Sequence, residues 1–142
     1  VPGAGPSLTM AFIAHLGDGS RFDNAAQVSN YVGFVPRLDI SGKQVRMGHI
    51  TKRGCKHIRR VAVQSAWALI RSKEGGYLKE KYQDLRERRG KKIAIVAIAK
   101  KLVELLWVIS RKKELYRYST RETIEKKYRF YGLSFKEKGS AA

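Results

Sequence analysis

Lys91-Lys-Ile-Ala-Ile-Val-Ala-Ile-Ala-Lys-Lys-Leu-Val-Glu-Leu-Leu-Trp-Val-Ile-Ser-Arg-Lys-Lys113 is the stretch that decides the fold. Ile95, Ile98, Leu102, Leu105, Leu106 and Ile109 recur with the period of an α-helix, and Val96, Val103 and Trp107 widen the stripe. The spacing predicts a helix over 91–113 at the centre of a core. Lys100, Lys101 and Glu104 interrupt it, and the chain holds no run of roughly 18 uncharged apolar residues, so no membrane-crossing helix is expected.

The same reading works outward from there. Upstream, Gly90 breaks a polar helix over 77–88 anchored by Tyr82 and Leu85, and Gly75-Gly76 separates it from a helix over 55–72. That helix places Ile58, Val61, Ala62, Ser65, Ala66 and Leu69 on one face. A short helix over 25–32, capped by Asp23 or Asn24, ends at Gly33, and an N-terminal helix from Ser7 to Leu16 turns Leu8, Ala11 and Phe12 inward. Downstream, 120–130 forms a last helix. The predicted fold class is all-α, a compact domain of five or six helices with a helix-hairpin-helix-like N-terminus. Between the second and third helices lies a basic, serine-bearing loop, Pro36 to Gly54, with room for a short hairpin around Val45 and Ile50.

At 142 residues the chain is long enough for one domain with a modest core. Its 30 Lys+Arg against 12 Asp+Glu give a net charge of +18, which points to a polyanionic partner such as nucleic acid. The charge is uneven. Residues 1–36 hold only Arg21, Asp18 and Asp23, and the basic surface begins near Arg37. From Arg37 to Arg60 eight bases face a single acid, Asp39. One cysteine, Cys55, excludes an internal disulfide framework and fits a reducing, cytoplasmic compartment. The opening at Val1, without a signal peptide, reads as a fragment of something longer, and Gly139-Ser-Ala-Ala142 reads as an appended end.

Two segments carry candidate chemistry. In Pro2-Gly-Ala-Gly5, Gly3 and Gly5 lack Cβ atoms, so their backbone N–H groups can approach a DNA phosphate; the plainer reading is a helix-entry turn. In Ser41-Gly-Lys-Gln-Val-Arg-Met-Gly-His-Ile-Thr-Lys-Arg-Gly54, glycines let the backbone follow a phosphate strand. Lys43, Arg46, Lys52 and Arg53 neutralise that strand, and Lys56, Arg59 and Arg60 continue the patch into the third helix. A serine in such a place is usually a turn residue, yet with bases around it Ser41 is a candidate nucleophile on phosphorus. His49 and His57 are weighed as its general bases and set below that role, Cys55 is read as a bystander, and the dispersed acids form no metal cluster.

The order and spacing of several of these motifs resemble one family. They are Pro2-Gly-Ala-Gly5, Leu16-Gly-Asp18, Arg21-Phe22, Tyr31-Val-Gly-Phe-Val-Pro-Arg37 and Ser41-Gly-x-x-x-Arg46-x-Gly48-x-Ile50-Thr51-Lys52-x-Gly54. Gln64-Ser-Ala-Trp67-Ala and Lys91 to Leu102 add to the match. The family is the C-terminal transposase domain of the insertion-sequence one-hundred-ten type, which includes bridge-RNA-guided recombinases and the Piv-type DNA invertases. The resemblance covers residues 1–115 and leaves 116–142 as a basic, aromatic extension. It implies a catalytic domain of a DNA transposase that binds DNA and a structured guide RNA, with Ser41 forming a covalent phosphoserine link to a cut strand. It further implies an N-terminal RuvC-like domain with four acids for Mg2+, and a homo-oligomeric full-length protein in which a neighbouring protomer supplies the metal. No cofactor is expected in this fragment, which alone should be inactive. The family often has two adjacent serines; here Ile40 precedes Ser41.

A non-catalytic nucleic-acid-binding module is the alternative function, and a basic ribosome-associated protein a second. The tail aromatics, among them Tyr116, Tyr118, Tyr128 and Phe135, either stack on unpaired bases or pack on protein.

Overall fold

A computed structural model of the chain describes residues 1–41, 44–73 and 75–134, with the backbone alone at 39, 40 and 44–47. In chain order the elements are α1 (Pro6–Leu16), α2 (Ala25–Val32), β1 (Pro36–Ser41), β2 (Gln44–Ile50), α3 (Lys56–Arg71), α4 (Gly76–Arg89), α5 (Lys91–Lys112) and α6 (Arg121–Phe130). The all-α expectation holds, with six helices among the described residues and one small hairpin.

Local chemistry sets the helix ends. Pro6 occupies the first turn of α1, where its missing N–H is no loss, and Gly5 takes the cap position expected for Ser7. Asn24 caps α2 by accepting from the Gln27 backbone N–H, and Gly33 closes it in the left-handed conformation at φ 81°. Gly90 ends α4 and opens α5, and Lys113 ends α5 at φ 53°. Thr120 caps α6 by accepting from the Thr123 N–H.

The core lies where α3 and α5 cross, each packed on the other and on α1, α2 and α4. The centre predicted for the 91–113 helix is therefore shared. Ile58, Ala62, Ala66 and Leu69 of α3 and Ile98, Ala99, Leu102 and Val103 of α5 are fully enclosed, and Leu8, Val28 and Leu78 fill the gaps from the other helices. Leu78 joins Tyr82 as the buried pair of α4, while Leu85 stays at the edge. The alanines let the two central helices approach closely, and each enclosed Leu or Ile stabilises the fold by roughly 1.5–3 kcal/mol.

Polar ties fix the register of the layers. Ser29 of α2, itself buried, donates to Glu104 of α5 at 2.8 Å, and Glu104 in turn pairs with Lys101 at 3.5 Å. The turn after α1 docks on the far half of α5: Trp107 Nε1 donates to the Gly19 carbonyl at 2.9 Å and Ser110 Oγ to the Asp18 carbonyl at 3.0 Å. Gly19 sits so close to the indole that a Cβ there would lie 2.6 Å from it.

The segment read as a loop with room for a short hairpin around Val45 and Ile50 is a longer β-hairpin, from Pro36 to Ile50. Its antiparallel register pairs Ser41 with Gln44, Ile40 with Val45, Asp39 with Arg46 and Leu38 with Met47. A bulge follows, in which Gly48 and His49 face Arg37 before Pro36 pairs with Ile50. Apart from Ile50, half-buried at its base, the hairpin lies alongside no helix among the described residues. α6 likewise packs on no other element and buries none of its residues.

Candidate nucleic-acid interface

The hairpin is positioned by the crossing of two backbones at its base. After α2 the chain runs past the stretch that leads into α3, and the Thr51 N–H donates to the Val35 carbonyl at 2.8 Å. A Cβ on Gly33 would fall 2.0 Å from the Arg53 carbonyl oxygen, and one on Gly54 would fall 1.9 Å from the Tyr31 carbonyl oxygen. Both glycines also hold positive φ, 81° and 111°, so no other residue meets either demand. Arg59 of α3 reaches into the crossing, where its Nη1 donates to the Val32 carbonyl at 2.7 Å and the Gly54 carbonyl at 3.3 Å. The sequence placed Arg59 among the phosphate-facing bases; the structure gives that nitrogen to the backbone that holds the hairpin.

From this base the arm carries Ser41 to its far end, where the residue is exposed as the last of β1. Lys43 and Gly42 lie outside the described residues, and Arg46 is placed by its backbone opposite Asp39. Lys52, Arg53, Lys56 and Arg60 are exposed where the hairpin meets α3, and among the described residues they enter no ion pair. Cys55 stands at the α3 cap position without a side-chain cap bond, and the first turn holds no acid. The opening N–H groups of α3 therefore lack a capping side chain amid four cations, an arrangement that favours an incoming phosphate.

The other candidates scatter. Gly3, at φ 75°, is pressed on α3, and a Cβ there would lie 2.7 Å from both the Leu69 Cβ and the Ser65 carbonyl oxygen, so its lack of a side chain already serves packing. Gly5 has open space around it and accepts from Thr9 Oγ1 at 3.1 Å. His49 is exposed on β2, whereas His57 is turned to His15 of α1 with ring centroids 5.5 Å apart. Gly33, Gly54 and Arg59 are the residues whose structural role the sequence did not disclose; the contacts of Gly33 with Arg53, Gly54 with Tyr31 and Arg59 with Val32 join positions twenty or more residues apart in the chain.

The described residues do not fit a resident metal centre. No three ligating side chains converge among them. Asp18 accepts the Ser20 N–H at 2.9 Å, which holds its carboxyl below the usual carboxylate range, and Asp23 accepts from Gln27 Nε2 at 3.1 Å. Nor is any helix among them long and apolar enough to cross a membrane.

The fold and this surface define a small helical domain that carries a projecting hairpin, with four exposed cations where the hairpin meets α3. The model of the IS116/IS110/IS902 transposase family matches residues 1–83, more than half of the chain. The chain is 36% identical over 124 residues to the transposase for insertion sequence element IS1111A of Coxiella burnetii, across 82% of this chain and 33% of that protein. It is 32% identical over 113 residues to the transposase for insertion sequence element IS1328 of Yersinia enterocolitica, across 78% of this chain and 34% of that protein. The chain belongs to the IS116/IS110/IS902 transposase family, and it spans about a third of the length of these curated relatives.

Proposed function

We propose that this chain is the serine-bearing part of a DNA transposase and that its hairpin delivers Ser41 to a DNA phosphodiester. The observation that carries the reading is the place of Ser41, exposed at the end of an arm that leaves the helical body beside four cations that enter no ion pair among the described residues. A serine buried among the helices could not reach a duplex backbone. In the proposed step Ser41 Oγ bonds to phosphorus, one P–O bond breaks, and the departing oxygen becomes the hydroxyl of the freed strand end. The serine proton leaves to a base outside the described residues. Attack by a second strand's hydroxyl reverses the step, releases serine and joins DNA to DNA. Lys52, Arg53, Lys56 and Arg60 hold the flanking phosphates, and Lys43 and Arg46, close to Ser41 in sequence, are assigned the same role. Mg2+ belongs, in this reading, to a RuvC-like domain elsewhere in the full-length protein or in a second copy of it, and a structured guide RNA shares the basic surface with DNA.

The test uses the full-length protein with its DNA and guide RNA. A DNA-linked species should be trapped on a denaturing gel. Ser41→Ala should abolish it while leaving DNA affinity within about threefold, a change of roughly 0.7 kcal/mol or less. Recombination by Ser41→Ala at a near wild-type rate makes the chain a binding module instead. For the chain alone, about six phosphate contacts would lower DNA affinity on the order of a thousandfold between 50 and 200 mM salt. A flat salt response removes the phosphate-binding role.

A further inference from the structure

A second surface lies apart from the hairpin. Between the N-terminal turn, the α3–α4 connection and the segment from Leu115 through α6 runs a cleft of about 580 Å3, within the size range of sites that take small organic groups. Tyr116, Tyr118 and Tyr128 line it from one side and Lys73, Lys126 and Lys127 from others. Glu122 is the single acid among the described lining residues.

The tyrosines are arranged as a platform. Tyr118 lies over Tyr77 of α4, centroids 6.1 Å apart and planes 20° apart, and Tyr116 meets Tyr118 edge-on at 5.7 Å. Tyr118 remains 64% exposed, so ring surface is open to a further aromatic partner. Burial pushes the Tyr116 phenol up, with Tyr118 and Tyr77 adding to it, so the ring stays neutral across the physiological range. Lys127 donates to the Val1 carbonyl at 3.3 Å, whereas Lys73 and Lys126 are exposed and enter no ion pair among the described residues. Flat neutral rings beside cations that outnumber the acids among the described lining residues match the two halves of a nucleotide, base and phosphate. They match a duplex poorly, because its bases are already stacked on one another.

We propose that this cleft holds an unpaired stretch of DNA, with a base stacked on the open face of Tyr118, which Tyr116 braces edge-on, and its phosphates against Lys73 and Lys126. The inference rests on the reading of the chain as a DNA-handling domain but not on Ser41 or the hairpin. Cutting and rejoining strands exposes unpaired ends, and a site that holds one away from the reacting phosphate would keep it from drifting off.

The test is fluorescence anisotropy with the 142-residue chain and labelled dT20, beside a 20-base-pair duplex, the RNA counterpart rU20 and free dTMP. The Tyr116→Ala/Tyr118→Ala variant should weaken dT20 binding about tenfold or more, because stacking on an aromatic ring contributes heavily per base. Duplex binding should stay within about threefold. Tyr116→Phe/Tyr118→Phe, which keeps the rings, should bind dT20 within about threefold of wild type, and Lys126→Gln should lower the salt slope by about one. Photocrosslinking of 5-iododeoxyuridine-substituted dT20 should label residues 115–128. If the alanine double variant loses its thermal transition, Tyr118→Ala and the crosslink decide the matter alone. Unchanged dT20 binding, loss in the phenylalanine variant equal to that in alanine, or crosslinks confined to 36–60 would overturn the proposal. So would rU20 bound more than tenfold tighter than dT20, which makes it an RNA site, or dTMP bound as tightly as dT20, which makes it a mononucleotide site. Failure of the Ser41→Ala experiment would leave all of these outcomes intact.

Discussion

Leu102 and Leu38 are the same residue in two different situations. Leu102 is fully enclosed between α5 and its neighbours, whereas Leu38 is 57% exposed on a hairpin that, apart from Ile50 at its base, lies on no helix among the described residues. The body is held by burial spread over many side chains. The arm is held at one end, by two glycines and an arginine, and an isolated two-stranded hairpin is marginal at best in water. Rigidity and reach are thus divided: the body supplies a fixed frame, and the arm presents its serine without burying it.

The largest expected effect falls on the body. Leu102→Ala should cost about 2–5 kcal/mol by urea denaturation, and amides of α5 should exchange slowest in the molecule. Fast exchange in α5 would mean that the frame lies elsewhere. Next comes the clamp. Gly54→Ala should cost about 3 kcal/mol, because it adds a Cβ against the Tyr31 carbonyl at a φ that alanine avoids. Its loss should open hairpin amides before those of α5, and a uniform loss of protection would merge the two regions into one unit. Arg59→Met should cost about 2 kcal/mol, since it removes a charged donor from two backbone carbonyls. Leu38→Ala should change stability by no more than about 0.5 kcal/mol, and a loss like that of Leu102 would place the hairpin against the body.

The smallest effect concerns pH. The Ser20 N–H lowers the folded-state pKa of Asp18, so the ionised form favours the native turn. That contribution is present above the ordinary carboxylate pKa and is lost as pH falls through the lowered one. A carboxyl-carbon NMR titration of Asp18 should midpoint below that of Asp in a peptide, and an unshifted midpoint would mean that the turn under Trp107 does not form.

The two regions also differed in how plainly the sequence announced them. Ile58 to Leu69 and Ile95 to Leu102 repeat with the helical period because each helix turns one face to a shared core, so periodicity alone located them within a residue or two. The hairpin does alternate, with Leu38 and Ile40 on one strand and Val45 and Met47 on the other, but three glycines and scattered bases left so short a pattern room only for a short hairpin around Val45 and Ile50. The clamp was invisible for a different reason. The need for glycine at 33 and 54 arises from a backbone distant in sequence, and no local spacing encodes it. Ser41 was legible as a candidate through its motif. Its exposure at the end of an arm could be known only from the fold.

The bond from Trp107 to the Gly19 carbonyl joins positions 88 apart in sequence. A chain made from its N-terminus has completed α1, α2 and the hairpin long before the indole that receives their turn exists. Until then the Gly19 carbonyl faces water and the loop to be closed spans most of the molecule, which slows docking through the entropy of closure. The turn after α1 therefore reaches its final place late, and with Trp67 replaced by Phe the emission of Trp107 is an internal clock for that event during synthesis.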